Sequence, residues 1–518
     1  MRSSDPVNEG GEGRAPAARP AVLVAPFALA ILGLAALALS LALQSRPFIG
    51  GVDFYYYILF ARDLAGGRPD VPDVRYLYFP GVYTFWTTVL SLSDGSLASL
   101  QWAYAGLLLA NAVAIGGILT SLTESRLGGA LAASVYLLEA ARVEGFAGTT
   151  EPIATLPYLA GLWIWILLTK GGRNRLGLAA LAAGLGLALY AKQQGGLLAL
   201  GVLGLLPCAL AAAAFPRYRP AQLAMIPLGA GAVFLCAMVV EGGGLEAVKA
   251  GLSFARDYHA QGDWLAHVQR VWSQTQPVSG MFLLASLLWP VLLVVRAQAE
   301  PVFVPVLATL GLSVFSTWGG LIQFSKRGYL HYALLPLPSA IIAVGLALYL
   351  AARLFHQHAG VRPWWGVISM AAGTASLCWV SWTGAALANE AFSLVASPTR
   401  WTTQEDLGGA LTPLCARVEP GSDLLLIPPR ENRVHWYCRT RSVERRTYDK
   451  WERADPGQYV SDLALPFVKS VFVFSGNYGP FEKRYFERGD WNPLFVEMER
   501  LGFRQVFASG LGRLFRRA

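Results

Sequence analysis

Residues 21–43 read AVLVAPFALAILGLAALALSLAL, and the loop that follows contains DFYYYILFARDLAGG at residues 53–67. The first stretch is uncharged and exceeds the ~20 residues that a helix needs to cross a bilayer. The second stretch is too polar to span a membrane and too aromatic for a flexible linker. We predict an uncleaved first membrane helix followed by a long structured loop over 44–97. A signal peptide is the competing interpretation, but its apolar core would be shorter, about 7–15 residues.

The composition of the whole chain is that of a membrane protein. Only 14% of the 518 residues are charged, 54% are hydrophobic, and the mean hydropathy is +0.43. Soluble domains carry about 25% charged residues. The high hydrophobic content therefore excludes a disordered chain, and the low charge disfavours a soluble enzyme. The net charge of +9 suits basic cytoplasmic loops and a partner with anionic headgroups or phosphates. Nucleic acid is disfavoured as a partner because the basic residues are scattered between apolar segments.

Further apolar segments bring the prediction to about eleven membrane helices. The other candidate segments are 98–122, 127–141, 152–169, 176–190, 195–215, 221–240, 277–295, 302–320, 333–352 and 366–386. The density of Lys and Arg in alternate loops places the N-terminus in the cytoplasm, and an odd count places the C-terminus outside. We predict a multi-pass protein of the plasma or inner membrane, with a disordered N-terminus (1–20) and a membrane domain (21–389).

Residues 390–518 differ in character from the rest of the chain. Short apolar runs, DLLLI at 423–427, SVFVF at 470–474 and FRQVF at 503–507, alternate with helical stretches. This alternation predicts a small extracytoplasmic α/β domain, so the fold class is mainly α with an α/β domain at the C-terminus.

Two of the five cysteines, Cys415 and Cys438, fall in this C-terminal domain. An oxidising compartment permits a disulfide between them, but their spacing leaves that pairing open. Cys208, Cys236 and Cys378 lie in apolar segments and are expected to be packing residues. No Cys-x-x-Cys pair or Cys/His cluster occurs in the sequence, so we expect no metal site built from cysteines.

Asp53 is the candidate catalytic residue of the first loop. A carboxylate held among Phe54, Tyr55 and Tyr56 at a membrane surface is partly desolvated, which favours a role as general base. The competing interpretation is a helix N-cap, for which Asp is a preferred residue. Residues 54–65 are predicted to form an amphipathic helix at the membrane surface, ended by Gly66 and Gly67.

Two later polar groups are candidates for binding a phosphate or a sugar. RYLYFP at 75–80 offers Arg75 to a phosphate and Tyr78 to a sugar, or else forms an interfacial aromatic belt. Lys192 and Gln193 lie between two apolar runs; Lys192 either snorkels to the membrane surface or belongs to a functional polar cluster.

Further charged candidates occur on the same predicted outer side. Lys326, Arg327 and His331 form a compact group suited to a lipid phosphate, or to ordinary headgroup anchoring. Glu151 opens a predicted helix, where interaction with the helix dipole would explain it, and it is also a candidate to line an outer cavity.

Three short motifs in the first loop carry a family resemblance. DFYYY at 53–57, ARDLAGG at 61–67 and YFP at 78–80 resemble the first outer loop of the GT-C superfamily of membrane glycosyltransferases. The later segment KRGY at 326–329, followed by LPLP at 335–338, is similar to a second GT-C pattern. The chain is most similar to the polyprenyl-phosphomannose-dependent mannosyltransferases, whose layout the aminoarabinose transferases and protein O-mannosyltransferases share.

This resemblance implies a mechanism and a set of site residues. A sugar, mannose or another hexose or pentose, would pass with inversion from a polyprenyl-phosphate donor to a lipid, glycan or protein acceptor outside the membrane. Asp53 would be catalytic, and the substrate-binding residues would be Tyr55, Tyr56, Arg75, Tyr78, Glu151, Lys192, Gln193, Lys326, Arg327 and His331. Asp53 lacks the close acidic partner of many members, which leaves dependence on a divalent cation open. The rival interpretations are a flippase for a lipid-linked sugar and a non-catalytic assembly protein.

Overall fold

A computed structural model describes most of the chain. The described residues are 52–65, 79–143, 148–207, 220–240, 249, 263–276, 278–297, 304–325, 329–358, 411–427, 432–442, 456–475 and 491–518. The predicted N-terminus (1–20) and the predicted membrane helices 21–43 and 366–386 lie outside these segments.

The first part of the described chain is helical. Its α-helices are α1 (Val52–Ala65), α2 (Gly81–Leu92), α3 (Leu97–Thr123), α4 (Arg126–Arg142), α5 (Glu151–Lys170), α6 (Asn174–Ala191), α7 (Pro220–Val240), α8 (Trp264–Trp272), α9 (Val278–Ala297), α10 (Val304–Ile322) and α11 (Leu337–His358). Two longer 3₁₀ segments, Gln193–Leu205 and Leu330–Leu334, join this set. Most predicted boundaries agree with these to within a few residues.

Among the described helices, five are long and apolar enough to cross a membrane. These are Ser99–Thr123, Glu151–Lys170, Asn174–Ala191, Gln222–Val240 and Pro305–Ile322. Helix α8 and its 3₁₀ extension, together with most of α9, make a sixth if this bent pair counts as one span. The predicted number of about eleven is not confirmed, because several predicted spans are shorter helices or lie outside the described residues.

The predicted span 195–215 has a different structure from the expected α-helix. Its first part is a 3₁₀ helix of 13 residues, Gln193–Leu205, and residues 208–219 lie outside the described part of the chain. Gly201 and Gly204 allow this segment to pack closely on α10. A Cβ at Gly201 would collide with the Ser316 side chain, and one at Gly204 would collide with the Gly311 backbone. At ~2.0 Å per residue, 13 residues in 3₁₀ geometry extend about 26 Å, longer than the same number in an α-helix.

Helices α5 and α6 pack closely in the centre of the bundle. A Cβ on Gly161 would lie 2.7 Å from the Ala180 carbonyl oxygen, and one on Gly184 would lie 2.9 Å from the Gly161 Cα. Tyr158 on α5 also donates to Ser316 Oγ on α10 over 3.1 Å. The beginning of α5 and the end of α6 are therefore held in a fixed relation, which matters for the site described below.

The C-terminal domain is a five-stranded mixed sheet with helices, as predicted. Its elements are β1 (Asp423–Ile427), α12 (Asn432–Tyr437), β2 (Arg441–Ser442), α13 (Pro456–Leu463), β3 (Ser470–Phe474), α14 (Asn492–Arg500), β4 (Phe503–Ser509) and β5 (Gly512–Arg517). The strand order is β2-β1-β3-β5-β4; β1 pairs in parallel with β2 and β3, and the remaining pairs are antiparallel. The predicted strand 503–507 extends further, and β5 was not predicted.

Two of the cysteine predictions are resolved by the structure. Cys415 and Cys438 form a disulfide. Cys236, expected to pack inside, is instead exposed on α7. Helix α7 lies at the periphery of the bundle, where Leu228 and Leu235 are also exposed, so an apolar segment here does not mean a buried side chain.

Candidate active site

Helix α1 carries the predicted catalytic residue. The helix begins at Val52, so Asp53 lies within its first turn, and the description of α1 side chains begins at Phe54. All eight side chains from Phe54 to Ala61 are buried. The predicted helix is present, but the prediction that it is amphipathic and lies at the membrane surface is wrong, because its side chains are buried. Helix α2 covers α1, and α12 of the C-terminal domain contacts it as well.

Aromatic side chains fill the contact between α1 and α2. Phe54 lies 5.3 Å from Trp86, and Phe60 lies 4.3 Å from Tyr83, measured between ring centroids. The predicted sugar contacts Tyr55 and Tyr56 are both buried in this helix. Their role in binding a substrate stays a prediction.

The bundle contains a buried ion pair between two residues that the sequence singled out. Glu151 is the first residue of α5, and Lys192 directly follows α6. The Lys192 ammonium donates a hydrogen bond to Glu151 Oε1, and the two side chains are 3% and 1% exposed. Lys192 therefore does not snorkel to a surface. A buried pair of this kind loses much of its hydration free energy and persists only where its geometry is well determined.

His331 and Tyr332 complete the charged cluster around this pair. His331 interacts electrostatically with the Glu151 carboxylate, and its ring lies parallel to Tyr329 at 5.5 Å. The Lys192 ammonium lies 5.7 Å from the centroid of the Tyr332 ring. The 3₁₀ segment Leu330–Leu334 supplies both residues, so the structure brings together Glu151, Lys192 and His331 from distant parts of the sequence.

Gln323 holds the chain beside this cluster. It is buried, and its Nε2 donates to the Tyr332 carbonyl oxygen. It closes the gap between the end of α10 and the segment that carries His331. Gln323 was not among the predicted site residues; an amide between the apolar residues Ile322 and Phe324 is the sequence signal by which it can be recognised.

Tyr104 connects the aromatic helix α1 to the charged cluster. Its ring stacks on Trp86 at 6.2 Å, and its hydroxyl lies 3.1 Å from Thr149 Oγ1. Thr149 is two residues before Glu151. A continuous chain of contacts therefore runs from Phe54 through Trp86 and Tyr104 to the start of α5. Neither Trp86 nor Tyr104 was predicted, because aromatic residues in apolar segments are normally core residues.

The first loop also approaches Lys192 directly. Gly81, the first residue of α2, lies so close to the end of α6 that a Cβ there would be 2.7 Å from the Cα of Ala191. Thr84 on α2 lies 3.0 Å from the Tyr190 hydroxyl. The end of the predicted motif at Phe79–Pro80 is thereby placed beside the residue that precedes Lys192.

Several predicted site residues lie outside the described part of the chain. They are Arg75 and Tyr78 in the first loop, and Lys326 and Arg327 before His331. Gln193 is described and half-buried next to Lys192. Among the described residues, no group of three or more His, Cys, Asp or Glu side chains is placed to hold a metal ion.

Comparison with known proteins gives a fold relationship without a sequence relationship. No protein-family model and no curated protein sequence matches the chain. The chain is similar to the crystal structure of ArnT from Cupriavidus metallidurans bound to undecaprenyl phosphate, with a TM-score of 0.59 and 13% identity, over 95% of this chain and 98% of that one. It also matches the archaeal oligosaccharyltransferase AglB from Archaeoglobus fulgidus, in complex with an inhibitory peptide and a dolichol-phosphate, at 12% identity over 95% of this chain and 74% of that one. The TM-score of this second match is 0.47.

The likeness to ArnT establishes the class of fold. It extends over nearly the whole of both chains, so this chain has the same overall fold as ArnT. Together with the five apolar helices of the described segments, it indicates a protein embedded in a membrane.

Proposed function

We propose that this protein is a membrane glycosyltransferase that transfers a sugar from a polyprenyl-phosphate donor to a lipid, glycan or protein acceptor on the outer face of the membrane. The observation that carries the proposal is the buried ion pair of Glu151 and Lys192 with the half-buried His331 beside it, in a fold like that of ArnT. Trp86 and Tyr104 connect this cluster to the helix of Asp53. Ionisable residues inside a membrane protein are expensive and mark functional sites by default.

Lys192 is proposed to receive the phosphate of the donor. Glu151 accepts a hydrogen bond from the Lys192 ammonium and so orients this cation for the phosphodiester of the donor. The phosphodiester carries one negative charge and gains a second when the sugar leaves. His331 is proposed to add a further polar contact beside Glu151. Arg75 and Arg327 are proposed to contribute further cations. Arg75 precedes Phe79, which lies near the end of α6, and Arg327 precedes the segment of His331.

The proposed chemistry follows from these charges. Asp53 takes the proton from the acceptor hydroxyl as that oxygen attacks the anomeric carbon. The bond from this carbon to the phosphate oxygen breaks, and the sugar passes through an oxocarbenium-like state. The bonding electrons leave with the phosphate, so cations stabilise the leaving group and no general acid is needed. Attack from the face opposite the phosphate inverts the anomeric centre. Tyr55, Tyr56, Tyr78 and Gln193 are proposed to contact the sugar or its phosphate.

The test is a transfer assay with the purified protein. It is incubated in detergent with a panel of radiolabelled polyprenyl-phosphate sugars, hexoses and pentoses, with and without EDTA. We expect release of sugar from one donor class, by transfer or by slow hydrolysis, and loss of that release in Lys192→Met. Sensitivity to EDTA would assign a divalent cation, which the described residues alone do not hold.

A transport function would give a different result in the same system. A flippase would move the lipid-linked sugar across reconstituted vesicles and release none of it. That outcome would contradict the proposed transfer reaction.

A further inference from the structure

Arg62 joins the helix that carries Asp53 to the C-terminal domain. Arg62, nine positions after Asp53 on α1, donates through Nη2 to the Thr440 carbonyl oxygen at 2.7 Å and through Nη1 to the His435 carbonyl oxygen at 3.4 Å. Its guanidinium carbon lies 5.8 Å from the centroid of the Trp436 ring. The residues in these contacts are 373 or more positions apart in the sequence.

Arg62 binds the last turn of α12 and the turn that follows this helix. The last carbonyls of a helix have no partner within it, and the helix dipole favours a cation there. His435 lies in the last turn of α12, and its carbonyl oxygen also accepts from the Thr440 amide at 3.1 Å. Burial lowers the pKa of the Arg62 guanidinium, and the charge of Arg439 lowers it further. Keeping the Arg62 charge buried near Arg439 therefore costs free energy, and the hydrogen bonds to the two carbonyl oxygens offset that cost.

The segment that accepts the hydrogen bonds of Arg62 is itself held in place by other contacts. Cys438, between the two accepting carbonyls, is bonded to Cys415. The His435 ring lies 3.0 Å from Thr440 Oγ1, which fixes the turn after α12. Trp436 packs against the main core of the helical bundle. The C-terminal domain thus offers α1 a rigid surface.

We propose that Arg62 is a positioning residue that locks the helix of Asp53 onto the C-terminal domain, so that this domain sets the geometry of the transfer site. The inference rests on the proposed function, because it assigns Asp53 to the reaction. Phe54–Ala61 are packed on α2, which fixes α1 on one side, and Arg62 fixes the end of α1 on the other. Without Arg62 the helix remains folded but can tilt against α2. Misplacement of a catalytic group by about 1 Å can reduce turnover about 100-fold.

The experiment compares Arg62→Gln, Arg62→Lys and Asp53→Asn in the full-length protein. Hydrogen exchange is measured by mass spectrometry over 52–65 and 432–442, beside kcat and KM for the donor. The control is Arg500→Gln, because Arg500 is an exposed arginine of the C-terminal domain that pairs only with Glu497 among the described residues.

The expected results distinguish the positioning role of Arg62 from the catalytic role of Asp53. Arg62→Gln should raise exchange in both segments and lower kcat about 10- to 100-fold with little change in KM, and Arg62→Lys should recover part of both. Asp53→Asn should lower kcat and leave exchange unchanged, and Arg500→Gln should change neither. Unchanged exchange or unchanged kcat in Arg62→Gln would overturn the inference about Arg62. Full turnover in Asp53→Asn would instead overturn the proposed role of Asp53, whatever the exchange data show.

Discussion

At the scale of single residues, the pair of Glu151 and Lys192 decides both stability and activity. Each side chain is buried, so removal of one takes away the ion-pair partner of the other. Lys192→Met or Glu151→Gln should therefore destabilise the protein, by about 3–5 kcal/mol where the remaining group stays ionised. The double variant should recover part of that loss, since no buried charge is left.

A double-mutant cycle measures this coupling. Thermal unfolding of the four proteins in one detergent gives the stability, and donor turnover gives the activity. We expect the double variant to regain stability while remaining inactive, because Lys192 is proposed to bind the phosphate. Additive losses of stability would contradict the buried pair, and an active double variant would remove Lys192 from the site.

The residues of this cluster could be chosen from the sequence, but their contacts could not. Lys192 and Glu151 stood out because charged side chains are rare at the ends of apolar helices. Their pairing depends on the packing of α5 on α6, which the positions of Gly161 and Gly184 permit. No local pattern in a single sequence states which helices meet.

At the scale of elements, helix α2 positions the first loop against the end of α6. Gly81→Ala would place a methyl group 2.7 Å from the Cα of Ala191, a contact that only a backbone shift can relieve. We expect a loss of about 1–3 kcal/mol in stability and a larger relative loss of turnover, because the shift moves the loop beside Lys192.

Gly106→Ala on α3 is the matched control for this prediction. A Cβ there meets nothing within 4 Å, and alanine favours a helix by about 0.5–1 kcal/mol over glycine. Thermal unfolding and donor kinetics of both variants provide the comparison. Equal effects of the two substitutions would show that the contact between Gly81 and Ala191 has no special role.

Element positions were predicted well where periodicity and length are strong, and packing was predicted poorly. The helix over 54–65 was expected and is present as α1, yet its burial was missed. An amphipathic pattern identifies a helix with two faces but cannot show that a distant domain covers the second face. The C-terminal helix α12, which makes this contact, lies more than 360 positions away in the chain.

At the scale of the whole molecule, the Cys415–Cys438 disulfide stabilises the domain that holds α1. The double variant Cys415→Ser/Cys438→Ser should lose about 2–4 kcal/mol of stability. Cys236→Ser is the control, because Cys236 is free and exposed on α7. Thermal unfolding of the oxidised proteins tests this, and an unchanged unfolding temperature in the double variant would contradict it.

The same scale relates the buried ion pair to the helix of Asp53. The pair of Glu151 and Lys192 lies in the helical bundle, and Asp53 lies on a helix held between the bundle and the C-terminal domain. The transfer reaction that we propose would take place where these two parts of the molecule meet.

The most direct test of this account is donor turnover by Asp53→Asn, measured beside wild type and Asp63→Asn with the donor that the panel identifies. Asp63 lies on the same helix ten positions later, so its variant removes a carboxylate of the same kind from α1. We predict that Asp53→Asn lowers turnover about 100-fold or more while donor binding persists, and that Asp63→Asn remains active. Full activity of Asp53→Asn would contradict the account.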